Sequence, residues 1–137
     1  MTKEFDIVVI GAGHAGCEAA VAAAKLGKKV LLTTLHEKSI GMLPCNPSIG
    51  GTAKGHLVCE IDALGGIMGI LADEAAIQIR MLNAAKGPAV RSLRAQIDKE
   101  RYHKAMVDLL KSTPNLTLAI GEVNALLWEN QQITGVV

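Results

Sequence analysis

The sequence predicts an α/β fold with a parallel sheet at its start, on three observations. Residues 5–10 are a short, β-branched apolar run closed by glycine, the pattern of a parallel strand buried on both faces. Residues 15–25 are rich in alanine and stop at Gly27, where a helix ends. Residues 29–34 repeat the buried-strand pattern, so the first 34 residues read as one βαβ unit.

The remaining elements follow less regular signals. Residues 40–55 dissolve into Gly, Pro, Asn and Ser with one cysteine, and so long a patternless stretch is expected to be an ordered functional loop. Residues 56–64 suit a helix with Leu57, Ile61 and Leu64 on one face, stopped by Gly65 and Gly66. Residues 67–82 are open between a second helix and a strand around 77–81, and residues 83–90 form another loop. A helix is predicted over 96–112, with Ile97, Tyr102, Ala105, Met106, Leu109 and Leu110 as its apolar stripe. Residues 116–120, 123–128 and 133–137 are expected as strands, the last two joined by a turn through Asn130 and Gln131. The result is a parallel sheet with a small antiparallel element. The last strand runs to Val136 and Val137 without a polar tail, which predicts a fragment of a longer chain.

Composition narrows the function classes. With 137 residues the chain suits one domain, and half of them are hydrophobic, so a core can be buried. Phe5, Tyr102 and Trp128 are the only aromatic residues, too few for a stacking platform for single-stranded nucleic acid. The net charge of +1 neither predicts nor forbids an acidic partner. Three cysteines with no Cys-x-x-Cys pair exclude a disulfide framework and a cysteine zinc site, and fit a reducing compartment. The histidines share no spacing of a metal site. No uncharged apolar stretch reaches the about 18 residues of a membrane span. Glu4 and Asp6 sit where a signal peptide needs positive charge, so a cytosolic protein is expected.

Gly11-Ala12-Gly13-His14-Ala15-Gly16 matches G-x-G-x-x-G between a predicted strand and a predicted helix, which makes these six residues the candidate dinucleotide-binding turn of a Rossmann-like fold. Gly11 permits the tight turn, Gly13 lets a phosphate approach the backbone, and Gly16 lets helix and strand pack closely. The helix N-terminus then offers free N–H groups to a pyrophosphate. The acid that usually ends the second strand is missing. Thr33 and Thr34 stand there, with Glu37 three residues late, so the turn alone does not choose between FAD and NAD.

Cys45 lies in Pro44-Cys45-Asn46-Pro47-Ser48-Ile49-Gly50-Gly51, on the loop after the second strand, which should border a cofactor bound at the carboxyl ends of the strands. That places Asn46, Gly50 and Gly51 among the candidate cofactor contacts. Cys45 itself is a candidate nucleophile or redox partner, against the plain alternative of a buried inert thiol. Cys17 and Cys59 are expected to pack within helices. Between Arg80 and Lys104 seven basic residues face only Asp98 and Glu100, which reads either as a solvated face or as phosphate recognition. Lys54, Arg91 and Arg94 are the candidate phosphate contacts.

The sequence resembles the MnmG (GidA) family of FAD-dependent enzymes of tRNA wobble-uridine modification. The glycine turn running into Cys17-Glu18-Ala19-Ala20 carries part of the resemblance. More specific are Cys45-Asn46-Pro47-Ser48-Ile49-Gly50-Gly51 and Lys54-Gly55-His56-Leu57-Val58, together with Asp62-Ala63-Leu64-Gly65-Gly66. Arg80-Met81-Leu82-Asn83, Lys86-Gly87-Pro88-Ala89-Val90 and Arg94-Ala95-Gln96 extend it over nearly the whole chain.

The resemblance implies FAD in the glycine turn, a threonine in place of the missing acid, and an FAD contact at Val123 in the strand pair after the long helix. It implies NADH and methylene-tetrahydrofolate as co-substrates, with glycine or ammonium, for building an aminomethyl-type group on C5 of uridine 34. It also implies a cytoplasmic homodimer working with a partner GTPase of the MnmE family. Cys45 matches one of two family cysteines implicated in catalysis. The second cysteine, the NADH-binding insert and the helical C-terminal region have no counterpart in residues 1–137. The expected architecture is therefore the N-terminal part of an FAD-binding domain of the two-dinucleotide-binding flavoprotein type, inactive alone and binding FAD weakly or not at all. The alternatives are a non-catalytic FAD- or RNA-binding fragment and a related folate-dependent tRNA uracil methyltransferase.

Overall fold

The β-branched run at the start pairs in parallel with the next one, as the pattern requires. In the computed structural model, which describes residues 4–137, β1 (Ile7–Ile10) leads through the glycine turn into α1 (His14–Lys25) and then β2 (Val30–Thr34). β6 (Leu116–Ile120) joins the far side of β2, giving the parallel order β1-β2-β6 with Val9 beside Leu32 and Leu32 beside Leu118. Central β2 is largely buried, with Val30 and Leu32 fully inside. β1 is not the doubly buried strand expected: Ile10 is 56% exposed, because β1 has a neighbour on one side only. α1 ends at Leu26, where Gly27 takes φ +80° and its N–H bonds the Ala24 carbonyl.

The stretch 40–55 is more ordered than a loop. It contains β3 (Ser48–Gly50), and the following helix α2 (Lys54–Ala63) begins earlier than expected. The predicted face of α2 is also the wrong one. Leu57 and Leu64 point to solvent, while Gly55 and Val58 turn inward against the antiparallel sheet. The ambiguous stretch is both things in turn, α3 (Met68–Ala75) and then β4 (Ala76–Leu82).

β5 (Ser92–Ile97) arises where no element was expected and takes the first two residues of the predicted helix, which as α4 covers Lys99–Ser112. The boundary is set by Asp98, whose Oδ1 accepts the N–H groups of Glu100 and Arg101 at 3.0 and 3.1 Å. Tyr102, Met106 and Leu110 of the predicted stripe are buried, whereas Ile97 belongs to β5. β5 lies at the centre of an antiparallel sheet of order β3-β5-β4. β7 (Leu126–Glu129) and β8 (Gln132–Val136) form an exposed hairpin whose turn residues Asn130 and Gln131 both have positive φ.

One apolar core runs through both sheets, from Val30 and Leu32 to Ile49 and Ile97. The Glu18 carboxylate on α1 accepts the N–H groups of Ile67 (3.0 Å) and Met68 (2.7 Å), so α1 caps α3 from across the core. Lys25 Nζ donates to the Gly65 carbonyl at 2.7 Å beside it. Among the described residues no single helix is long and apolar enough to cross a membrane.

Candidate functional site

The glycine turn has the geometry its three glycines were expected to provide. Gly11 adopts φ +97° and donates its N–H to the Thr33 carbonyl at 2.8 Å, which fixes the end of β1 to β2. A Cβ on Gly16 would collide with the Gly11 carbonyl oxygen, so only glycine allows this approach of helix to strand. Gly13 is different. It stands at the N-cap of α1 with φ −68°, and a Cβ there would meet nothing within 4 Å. No side chain caps α1 and its first turn carries no acid. An uncapped helix N-terminus facing open space is the cradle that a diphosphate fits.

The Ala12 carbonyl is the anchor behind the turn. It accepts the Cys17 thiol at 3.3 Å and the Gly41 N–H at 2.9 Å, tying the turn to the root of the loop that carries Cys45. Ile40, fully buried, holds that root from the other side, with His103 Nδ1 donating to its carbonyl at 3.0 Å. Cys17 is a packing thiol as expected, and burial pushes its pKa up to about 11. His14 rests on Tyr102 with ring centroids 5.8 Å apart, and burial lowers its pKa and favours the neutral ring. Its Nε2 and the Tyr102 hydroxyl are buried without a hydrogen-bond partner, and burial raises the tyrosine pKa.

At the end of β2 no acid is available for a ribose. Ser39 Oγ donates to the His36 carbonyl at 2.6 Å, which leaves Thr34 Oγ1 as donor in its 3.0 Å bond to Ser39. The late acid Glu37 is turned outward onto Lys111 Nζ at 3.3 Å.

Cys45 and Asn46 are exposed on the short segment before β3. The segment is held by Pro47, whose carbonyl accepts the Ile97 N–H at 2.7 Å, and by the 2.7 Å bond from the Ser48 N–H to the Asn46 carbonyl. Gly50 and Gly51 take φ +89° and +100°, and a Cβ on Gly50 would strike the Leu93 carbonyl oxygen. These glycines therefore fasten β3 to β5. Lys54 is exposed at the first turn of α2.

Arg94 is half-buried in β5, directly across from Gly50. Arg91 is exposed and donates its Nε to the Ala84 carbonyl at 3.0 Å. Val123 lies half-buried between β6 and β7 rather than within a strand pair, because the hairpin begins only at Leu126. Cys59 is exposed, not packed, since the inward face of α2 is the one carrying Gly55 and Val58.

Two groups of predicted site residues come together: Gly11 to Gly16 meet the root of the cysteine loop at Gly41, and Gly50, Gly51 and Arg94 gather on the antiparallel sheet with Lys54 at the start of the following helix. Cys45, Asn46, Arg91 and Val123 stand apart from both. Sequence reading missed Arg80 as a partner of Arg94. The alternation Ile77-Gln78-Ile79-Arg80-Met81 against Leu93-Arg94-Ala95-Gln96-Ile97 was the available signal.

Comparison with known proteins agrees with this geometry. The profile of the family described as glucose inhibited division protein A matches residues 6–137. The chain is 62% identical over 133 residues to the tRNA uridine 5-carboxymethylaminomethyl modification enzyme MnmG of Caldicellulosiruptor saccharolyticus, covering 97% of this chain and 21% of that protein. The crystal structure of Aquifex aeolicus GidA superposes with a TM-score of 0.93 at 51% identity, over 98% of this chain and 22% of that one. A probable FAD-dependent monooxygenase from Pseudomonas aeruginosa shares the fold alone, with a TM-score of 0.65 at 11% identity, covering 98% of this chain and 38% of its own. The chain spans about a fifth of the length of the curated relatives it matches.

Proposed function

The chain belongs to the glucose inhibited division protein A family, and from that premise we propose that residues 1–137 are the N-terminal part of an FAD-binding domain in an enzyme that modifies C5 of uridine 34 in tRNA. The observation that carries the reading is the open, uncapped cradle at Gly13, in a chain 62% identical to a tRNA uridine-modifying enzyme. When bound, FAD supplies the two-electron redox chemistry, with NADH and methylene-tetrahydrofolate as co-substrates.

The chain's own residues bind and position. The N–H groups at the start of α1 receive the pyrophosphate, and the absent side chain at Gly13 lets it reach them. Gly16 keeps α1 close enough to β1 for those N–H groups to point at it. Asn46, Gly50, Gly51 and Val123 are assigned to the cofactor's surroundings. Cys45, exposed on its loop, is assigned as the nucleophile toward the uracil ring or the carbon-carrying intermediate. A cytoplasmic homodimer with a partner GTPase completes the proposal, and the 137-residue chain alone is expected to be inactive.

The test is product analysis. The longer parent protein, supplied with tRNA, FAD, NADH, methylene-tetrahydrofolate, glycine or ammonium and the GTPase, should give an aminomethyl-type group on C5 of uridine 34 by nucleoside mass spectrometry. Cys45→Ser should remove that product while leaving bound flavin in place. Ring methylation instead would identify the related methyltransferase activity, and turnover by the isolated chain would refute its inactivity.

A further inference from the structure

We propose that the polar face of the antiparallel sheet, centred on the adjacent side chains of Arg80 and Arg94, binds a backbone phosphate of the RNA substrate. The inference rests on the functional reading above and gives its nucleic acid a place on the chain.

The ladder is the starting point. Arg94 on β5 lies directly opposite Arg80 on β4 and directly opposite Gly50 on β3, so the three form one row across the sheet. The next row is Ser48, Gln96 and Gln78. Residues directly opposite on antiparallel strands project from the same face, and successive residues alternate. Ile49, Ala95 and Ile79 form the intervening row and line an apolar groove of about 220 Å³ against α2 and α3. The two arginines and two glutamines therefore belong to the face turned away from that groove.

That face carries no acid in either row. Like charges directly opposite each other on neighbouring strands are destabilising. Among the described residues neither arginine has a carboxylate within ion-pair distance, the one ion pair being Lys111 with Glu37. Arg94 is half-buried, so its charge is only partly relieved by water. Gly50 adds no side chain to the row, and the Leu93 carbonyl keeps that position closed to any other residue.

Two arginines directly opposite each other on neighbouring strands, with no carboxylate in ion-pair distance, suit the paired oxygens of one phosphate. Gln78 and Gln96 are placed to reach sugar or base next to it. An RNA backbone phosphate and the flavin pyrophosphate share this chemistry. The glycine turn already offers the pyrophosphate a helix N-terminus, which favours RNA for the arginine row.

The experiment measures binding of an unmodified tRNA anticodon stem-loop and, separately, of FAD to the longer parent protein over a series of salt concentrations. Arg80→Gln, Arg94→Gln, the double variant and Arg80→Lys are compared with the wild type. Each glutamine substitution should weaken RNA binding several-fold and reduce the slope of log K against log salt by about 0.7–0.9. Arg80→Lys should keep that slope, and FAD affinity should not change. Arg80→Gln should also raise the melting temperature, because it removes a like-charge pair; an arginine kept for structure would lower it. Unchanged RNA affinity and slope in the double variant would overturn the proposal, as would a wild type with no salt-dependent RNA binding. Loss of FAD affinity with RNA binding intact would assign the phosphate to the dinucleotide and overturn it too. Uridine 34 modification by the parent protein is scored independently, so this inference can fail while the enzyme reading stands.

Discussion

The parallel unit and the antiparallel sheet each press one glycine against backbone, but the parallel unit also keeps one in open space. In the parallel unit, Gly16 is packed until nothing larger fits, while Gly13, three residues earlier, faces empty space. In the antiparallel sheet, Gly50 is pressed onto the Leu93 carbonyl and shares its row with Arg94 and Arg80. A glycine under close contact fixes the backbone; one in open space reserves room for something outside the chain. The first kind should cost stability when replaced, and the second should cost binding.

The strongest way to break this contrast is Gly16→Ala. Its Cβ would have to push α1 away from the Gly11 carbonyl, and about 3 kcal/mol of destabilisation is expected in thermal or urea unfolding. An unchanged midpoint would mean that the helix–strand approach is not set by this residue.

Gly50→Ala should be somewhat milder, about 2 kcal/mol, from the positive φ and the Leu93 contact together. Hydrogen exchange sharpens the comparison. Amides of β5 should lose protection while those of β1 and β2 keep it; equal loss in both would show that the two sheets unfold as one unit.

The smallest effect on stability belongs to Gly13→Asp. Its φ suits any residue, its side chain has room, and aspartate is a better N-cap than glycine, so a gain of a few tenths of a kcal/mol is expected. The same carboxylate would stand where the pyrophosphate belongs, and flavin fluorescence should report loss of FAD from the parent protein. Retained flavin would remove the turn from the cofactor site.

The parallel unit was legible because its signals are local. A β-branched run, a glycine turn and an alanine-rich helix lie within 34 consecutive residues, and each names its own structure. The antiparallel sheet depends on pairing between residues 10 to 48 positions apart, with β3 only three residues long. β5 did carry the period-two alternation of a strand, but Gln96 and Ile97 also suit the start of the predicted helix, and the four residues left over were too few to stand as an element. Asp98 was the overlooked stop, since a capping aspartate marks where α4 can begin. The face of α2 was misjudged for a related reason. Gly55 turns inward where a Cβ would already come within 3.2 Å of the Leu93 carbonyl oxygen, and a search for leucines does not see that. Of the candidate site, the turn and its glycines could be read directly, whereas the row joining Gly50, Arg94 and Arg80 exists only in the register.

The doubly used Ala12 carbonyl has one more effect, on chemical selectivity. Its oxygen is saturated by the Cys17 thiol and the Gly41 N–H, and the Gly13 carbonyl is taken by the Cys17 N–H at 2.9 Å. The acceptors of the turn are thereby withdrawn into the protein, and donors are what remain for a visitor. The turn is a polarity filter: a group rich in acceptor oxygens is welcomed on every side, while an ammonium or an amide N–H finds no oxygen there to greet it.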